Sequence, residues 1–227
     1  MTENQSRKFK FIVFDFDGTL AELHIDFGEM KRRMAVLARE HLPVVLNSSL
    51  PPVLEWMESL AAGLDASNPR AGAEFRQKGH ALIREMELEA ARRGRLFDYT
   101  RPILSDLRQK GIDVAIITRN CEQAVRIVFP DLDGYCRVFL ARDHVPHVKP
   151  DPDHLFRALE KTAWEPAATL MVGDHPLDIQ TGRRAGVLTA GVSSGRASRE
   201  DLAGSGADWT AADCQELMCR LREEGWI

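Results

Sequence analysis

The chain has 227 residues, 44% of them hydrophobic and 28% charged, which is enough apolar material for one substantial core with a smaller second domain beside it. The formal net charge is only -4 and the basic residues are scattered, with small local clusters such as Lys31-Arg32-Arg33 and Arg92-Arg93. Nothing in that balance calls for a nucleic acid or an anionic membrane as partner. No run reaches the roughly 20 apolar residues of a membrane span. The leading MTENQSRKFK passes into FIVFDFDGT, too short and too soon interrupted by carboxylates for a signal peptide. Cys121, Cys136, Cys214 and Cys219 show neither the close pairing of a zinc site nor the density of a disulfide scaffold. Reduced thiols and a cytoplasmic protein are expected.

In chain order, the first predicted element is FIVF at 11 to 14, continuously apolar as a strand buried on both faces must be. From about Ala21 to Phe97 no strand is expected. Helical periodicity appears there at about 26 to 41, 51 to 62 and 72 to 93, the last with Phe75, Leu82, Met86 and Ala90 on one side. A further helix starts near Pro102 and ends before Gly111. VAII at 114 to 117 is the second strand, and Asn120 with Gln123 three residues on predicts a capping box opening the next helix. VFL at 138 to 140, LMV at 170 to 172 and LTAGV at 188 to 192 continue the strand series. A C-terminal helix offers Leu217, Met218 and Leu221 for packing. Strands alternating with helices imply an α/β fold, a doubly wound parallel sheet. The helical block reads as an insertion with its own small core, giving an α/β core over 1–20 and 98–227 and a helical domain over 21–97. Its ends are expected near the carboxyl end of the first strand, where open α/β sheets bind ligands.

The chemistry-bearing residues fall at the ends of these strands. The first strand runs into Asp15-Phe16-Asp17-Gly18-Thr19. Side chains alternate along a strand, so Asp15 and Asp17 share a direction while Phe16 turns to the core, and Gly18 lets the chain bend away. Taken singly, an Asp-x-Asp-Gly is as readily a turn as a site. The second strand ends in Thr118, with Arg119 and Asn120 at a helix start, where a hydroxyl and free N–H groups suit phosphate oxygens. Lys149 lies in Val148-Lys149-Pro150-Asp151-Pro152 after the third strand, on backbone stiffened by prolines. The fourth strand ends in Gly173-Asp174, with Asp178 four residues on, which could equally be a helix cap and a surface acid. Together these groups make a site with anionic and cationic parts. A carboxylate that approaches a phosphate dianion meets about 4 kcal/mol of repulsion per unit pair at 4 Å. A hard cation such as Mg2+, held by the acids, with Lys149 and Thr118, would offset it.

The ordered set DFDGT, IIT, the lysine of VKPDP, and GDHPLD resembles the four motifs of the haloacid dehalogenase superfamily of phosphohydrolases, and the insertion resembles the helical cap of its phosphoglycolate phosphatase branch. That resemblance implies Asp15 as nucleophile, Asp17 as acid/base, Thr118 and Lys149 as phosphate binders, and a Mg2+ site of Asp15, Asp17 through its backbone carbonyl, Asp174 and Asp178. Gly18, Thr19, Arg119, Asn120 and Lys149 would line the substrate, a small phosphorylated metabolite, in a monomer or homodimer. Asp17 favours a phosphatase over a dehalogenase, since a halide leaves without a proton. Receiver domains place their phosphoacceptor on a later strand and lack such an insertion. A sugar phosphomutase shares the core motifs and stands as the alternative, as does a non-catalytic phosphate-binding relative. DGTL is followed by Ala21-Glu22-Leu23-His24-Ile25-Asp26 rather than the usual acidic-serine start, so His24 and Asp26 are read either as pocket residues or as a hinge and helix start. His175 is expected to face solvent or support the site indirectly, His144 and His147 to lie in a plain loop, and Ser193-Ser194-Gly195 to form a connection or a phosphate-cradling loop.

Overall fold

The computed structural model of the chain describes residues 8–40, 51–160 and 164–227. The end of the first helical stretch, at 41, and the residues of the leading segment before 8 lie outside the described residues. In chain order the elements are β1 (Phe11–Phe14), β2 (Ala21–Glu22), α1 (Phe27–Arg39), α2 (Val53–Asp65), α3 (Pro69–Ala91), β3 (Arg95–Leu96), α4 (Thr100–Gln109), β4 (Asp113–Ile117), α5 (Glu122–Val128), β5 (Val138–Leu140), α6 (Asp153–Leu159), β6 (Thr169–Gly173), α7 (Pro176–Ala185), β7 (Leu188–Val192), α8 (Arg199–Gly204), β8 (Trp209–Ala211) and α9 (Cys214–Glu223). Six strands form one sheet in the order β5-β4-β1-β6-β7-β8. Every pairing in it is parallel.

The expected doubly wound α/β fold is present. β1 pairs with β4 on one side and β6 on the other, so the chain runs outward to β5, returns across β1 and continues to β8. That reversal opens a crevice at the carboxyl ends of β4, β1 and β6, the switch point where such sheets bind ligands. On one face Phe11, Val13, Ala115, Ile117 and Met171 pack with Leu155 and Leu159 of α6. Side chains that bury their full surface contribute about 1.5 to 3 kcal/mol each, which makes the strand ends a rigid platform.

The chain divides into two compact units, one comprising the chain up to Leu23 with Ala91–Ile227, the other His24–Ala90. The second unit is helical, with Met30, Met34, Met57, Phe75 and Ile83 at its centre. Gly79 of α3 lets the backbone come close to Met57, whose Sδ would lie 2.5 Å from a Cβ at that position. The buried stripe of α3 runs through Phe75, Gly79, Ile83, Met86 and Ala90, and Leu82, expected in it, is half-buried instead. Ile83 follows Gly79 at four-residue spacing, which keeps the face aligned along the helix axis, whereas Leu82 falls one residue round.

Two further expectations are corrected. The span Ala21 to Phe97 does contain strands, since Ala21 and Glu22 pair antiparallel with Leu96 and Arg95. A two-residue ribbon has no alternation to detect. Asn120 does not cap α5. The N-cap is Cys121, which makes no side-chain capping bond, and the Asn120 side-chain carbonyl accepts from the Thr118 hydroxyl instead.

Candidate active site

Asp15 stands immediately after β1, its N–H donating to the Val172 carbonyl of β6 at 2.8 Å, so the sheet ladder fixes its backbone. Phe16 is buried, as alternation requires, and its N–H donates to Asp15 Oδ1 at 2.6 Å. Gly18 has φ +85°, a left-handed conformation that costs a glycine little. A Cβ there would also lie 2.3 Å from Asp174 Oδ2, and one on Gly195 would lie 1.8 Å from the same atom. The loop Ser193-Ser194-Gly195 therefore closes on an acid, with the Ser194 hydroxyl donating to the Gly18 carbonyl at 2.7 Å.

Three carboxylates, from Asp15, Asp174 and Asp178, come together, with one oxygen of each within 4.8 Å of the others. Lys149 enters this group although its own side chain is only 1% exposed. Its ammonium donates to Asp178 Oδ1 at 2.6 Å and stands 2.7 Å from Asp15 Oδ1. At an effective dielectric of 20 each such pair attracts by about 6 kcal/mol, but every ion taken out of water loses several kcal/mol of hydration. A buried cluster of this kind is therefore poor stabilisation and better understood as prepared charge. Gly173 permits it, since a Cβ there would sit 2.2 Å from Asp178 Cγ. Asp178 also accepts the His175 N–H at 3.0 Å through its second oxygen, so it caps α7 and holds Lys149 at once.

The charge does not balance within the cluster. Burial raises the Asp15 carboxyl to about 6, and Asp178 adds to the rise against the opposing pull of Lys149. Burial also holds Asp174 well above the carboxylate range, with Asp15, Asp178 and Asp17 adding repulsion. For Lys149 burial works against the ammonium, yet Asp15 and Asp178 outweigh it and its pKa is raised. Acids packed this closely ionise together only when a further cation joins them. An all-oxygen donor set with a net negative charge fits a hard divalent ion such as Mg2+.

The other residues singled out in the sequence have partners of their own. Asp17 lies outside the three-acid cluster, and its Oδ1 accepts the Leu23 N–H at 3.0 Å. Thr19 is buried, its hydroxyl 3.4 Å from Asp174 Oδ1. The Thr118 hydroxyl donates to Asn120 Oδ1 at 2.9 Å and accepts the Asn120 N–H at 3.1 Å, a tight local turn at the end of β4. The Arg119 guanidinium donates to the Lys149 carbonyl. His175 is exposed, and its Nδ1 accepts the Leu177 N–H at 3.2 Å. Asp26 caps α1, accepting the Glu29 N–H at 2.8 Å, and His24 adopts a left-handed φ of 55° just before it. His144 lies in a short turn and bonds Glu122 at 2.9 Å.

Comparison with known proteins gives the family and the fold. Residues 9–186 match the sequence model of the haloacid dehalogenase-like hydrolases. The chain is 39% identical over 200 residues to the pyrophosphatase PpaX of Bacillus cereus, covering 82% of this chain and 84% of that protein. It is 30% identical over 221 residues to the N-acetylmuramic acid 6-phosphate phosphatase of Pseudomonas aeruginosa, covering 93% and 94%. Its fold matches the crystal structure of a predicted phosphoglycolate phosphatase from Haemophilus somnus with a TM-score of 0.64 at 20% identity, over 93% of this chain and 97% of that one. Among the described residues no helix is long and apolar enough to cross a membrane.

Proposed function

Since this chain belongs to the haloacid dehalogenase-like hydrolases, we propose that it is a Mg2+-dependent phosphatase that cleaves a small phosphomonoester through a phosphorylated Asp15. The observation that carries the reading is the meeting of Asp15, Asp174, Asp178 and Lys149 at the carboxyl ends of the strands flanking the switch point. Relatives named as phosphatases of small phosphorylated compounds support it. On the same reading the helical unit His24–Ala90 serves as a cap domain.

Asp15 has one oxygen on the Lys149 ammonium, and its other is the nucleophile. It attacks phosphorus in line with the ester oxygen, so a carboxylate–phosphorus bond forms as the phosphorus–ester bond breaks. Asp17 gives a proton to the departing oxygen, which would otherwise leave as a poor alkoxide. The same group then takes a proton from water as that water attacks phosphorus and returns the Asp15 carboxylate. Lys149 and the Thr118 hydroxyl, on turning from Asn120 Oδ1, balance charge on the transferring oxygens. Bound Mg2+, held by Asp15, Asp174 and Asp178 with the Asp17 carbonyl, would supply electrostatic compensation for the phosphate oxygens beside a carboxylate nucleophile.

The decisive experiment is release of inorganic phosphate from p-nitrophenyl phosphate with Mg2+, by the wild-type chain and by Asp15→Asn. Turnover that survives in Asp15→Asn refutes the covalent route. A panel of N-acetylmuramic acid 6-phosphate, pyrophosphate, phosphoglycolate and hexose phosphates then identifies the ester.

A further inference from the structure

His154 is fully buried in the first turn of α6. A buried imidazole costs free energy unless both nitrogens are bonded, and here both are. Nδ1 accepts the Lys149 N–H at 3.4 Å, and Nε2 lies 3.1 Å from the Leu140 carbonyl at the end of β5. An amide N–H can only donate and a carbonyl can only accept. The ring is therefore the neutral tautomer with its proton on Nε2. Burial first, and then the charges of Lys149 and Arg119, keep it neutral by lowering its pKa to about 3.

The Leu140 carbonyl has a second donor, the Thr118 N–H at 3.0 Å. Two residues that the proposed mechanism places on the phosphate thus come from separate loops and are joined through one carbonyl and one imidazole. The other side of the Lys149 peptide is held as well, its carbonyl by the Arg119 guanidinium, while the Arg119 carbonyl accepts from Arg142 at 2.7 Å. Its ammonium is shared between Asp15 and Asp178. Lysine side chains have many rotamers, and one that must face a transferring phosphoryl benefits from a backbone that cannot drift.

Resting on the phosphatase reading, we infer that His154 is a positioning residue, which sets the Lys149 backbone against the end of β4 so that Thr118 and Lys149 hold fixed places relative to each other. An apolar residue fills the same volume and packs with α6 but leaves the Lys149 N–H without an acceptor. Asparagine keeps an acceptor, Oδ1, close to the place of Nδ1.

The test compares His154→Leu and His154→Asn with wild type in p-nitrophenyl phosphate hydrolysis with Mg2+. His154→Leu is expected to lose roughly 10- to 100-fold in kcat while KM stays within about threefold, since the interaction is realised in the transition state. His154→Asn recovers kcat to within about fivefold of wild type, because the acceptor and not the ring is what matters. A second measurement needs no turnover: in 15N NMR of the wild-type chain, His154 is neutral with the proton on Nε2. In His154→Asn the Lys149 amide keeps its protection from solvent exchange, and in His154→Leu it exchanges at least about tenfold faster while the amides of β1 are unchanged. Wild-type kcat in His154→Leu, equal losses in both variants, or a proton on Nδ1 overturns the inference. If the wild-type chain released no phosphate, the functional reading would fail by itself, and the tautomer and the Lys149 exchange rate would still decide the role of His154.

Discussion

Replacing Gly195 by alanine tests the proposed metal site with a single added carbon. The new Cβ would lie 1.8 Å from Asp174 Oδ2 and 2.5 Å from Asp174 Cγ, whereas Cβ contacts below 3.0 Å are essentially never seen. Gly195 is exposed and lies outside the left-handed region, so alanine adds no backbone strain and the collision is the whole perturbation. Relief requires the carboxylate to retreat by about 1.2 Å, the difference between 3.0 and 1.8 Å. A displacement near 1 Å in a reacting constellation costs on the order of 100-fold in rate. The assay is kcat for p-nitrophenyl phosphate across a Mg2+ titration, in which Gly195→Ala is expected to lose about 100-fold in kcat and to need more Mg2+ for half-saturation. Gly204→Ala serves as control, because nothing lies within 4 Å of a Cβ there. The melting temperature should fall by only a few degrees, since no core volume changes. Unaltered kcat and Mg2+ demand in Gly195→Ala would refute the placing of Asp174 in the metal site.

Other expectations concern charge and thiols. Lys149→Met should reduce kcat by about 100- to 1,000-fold, as loss of one charge-stabilising donor does. In the metal-free protein it should also carry the Asp15 carboxyl above its present value of about 6, because Lys149 is what holds it down. A carbon-13 carboxyl titration reads this, and an Asp15 value that stays put contradicts the ion pair. His154 titrates near 6.5 when unfolded and near 3 when folded, chiefly through burial and then the Lys149 charge, with Arg119 adding to the fall and the Leu140 carbonyl and Asp153 opposing it. Between those values the unfolded chain binds the extra proton. This contribution to stability is therefore complete above about 6.5 and declines by about 1.4 kcal/mol per pH unit as the solution is acidified toward 3. Urea unfolding followed by tryptophan fluorescence at pH 7, 6 and 5 measures it, and His154→Asn should flatten the slope; an identical slope in both proteins argues against a neutral buried ring. Burial pushes the Cys136 thiol up to about 12 and the Cys214 thiol higher still, whereas Cys219 is exposed. Iodoacetamide at pH 8 should therefore label Cys219 first and Cys214 only in denaturant, as peptide mass spectrometry can report; early labelling of Cys214 would show that its surroundings open readily.

Much of the core was legible because strands buried on both faces are continuous apolar runs, and FIVF, VAII, VFL, LMV and LTAGV lie within or coincide with β1, β4, β5, β6 and β7. β8 carries no such signal: Trp209-Thr210-Ala211 is three residues long at the sheet edge, with Thr210 half-buried, too brief for any period. The proximity of Asp15, Asp174 and Asp178 could be expected from their common place at strand ends, since parallel strands bring all their carboxyl ends to one side. What a linear reading could not supply is side-chain direction. Thr118 and Asn120 close on each other by choice of rotamer, and nothing in Thr-Arg-Asn distinguishes that from a helix cap. A signal for His154 exists in the sequence: with Leu155, Ala158 and Leu159 it falls at helical spacing on what is the buried face of α6, which marks it as inward-facing. The polar run Pro-Asp-Pro-Asp before it obscures that pattern.

The central position of β1 has a consequence for how the protein comes to be made. Phe11 pairs with Asp113 and Thr169, which lie 102 and 158 residues further along. During synthesis the strand that carries Asp15 waits for both neighbours, whereas every residue of the unit His24–Ala90 has emerged before either. Bringing such remote segments together exacts a large entropic toll before any pairing rewards it, so closure of the sheet is the slow event. The Asp15 carboxylate thus gains its surroundings only once β6 has left the ribosome, and a nascent chain halted before Thr169 should lack the assembled acid cluster however well its helical unit is formed.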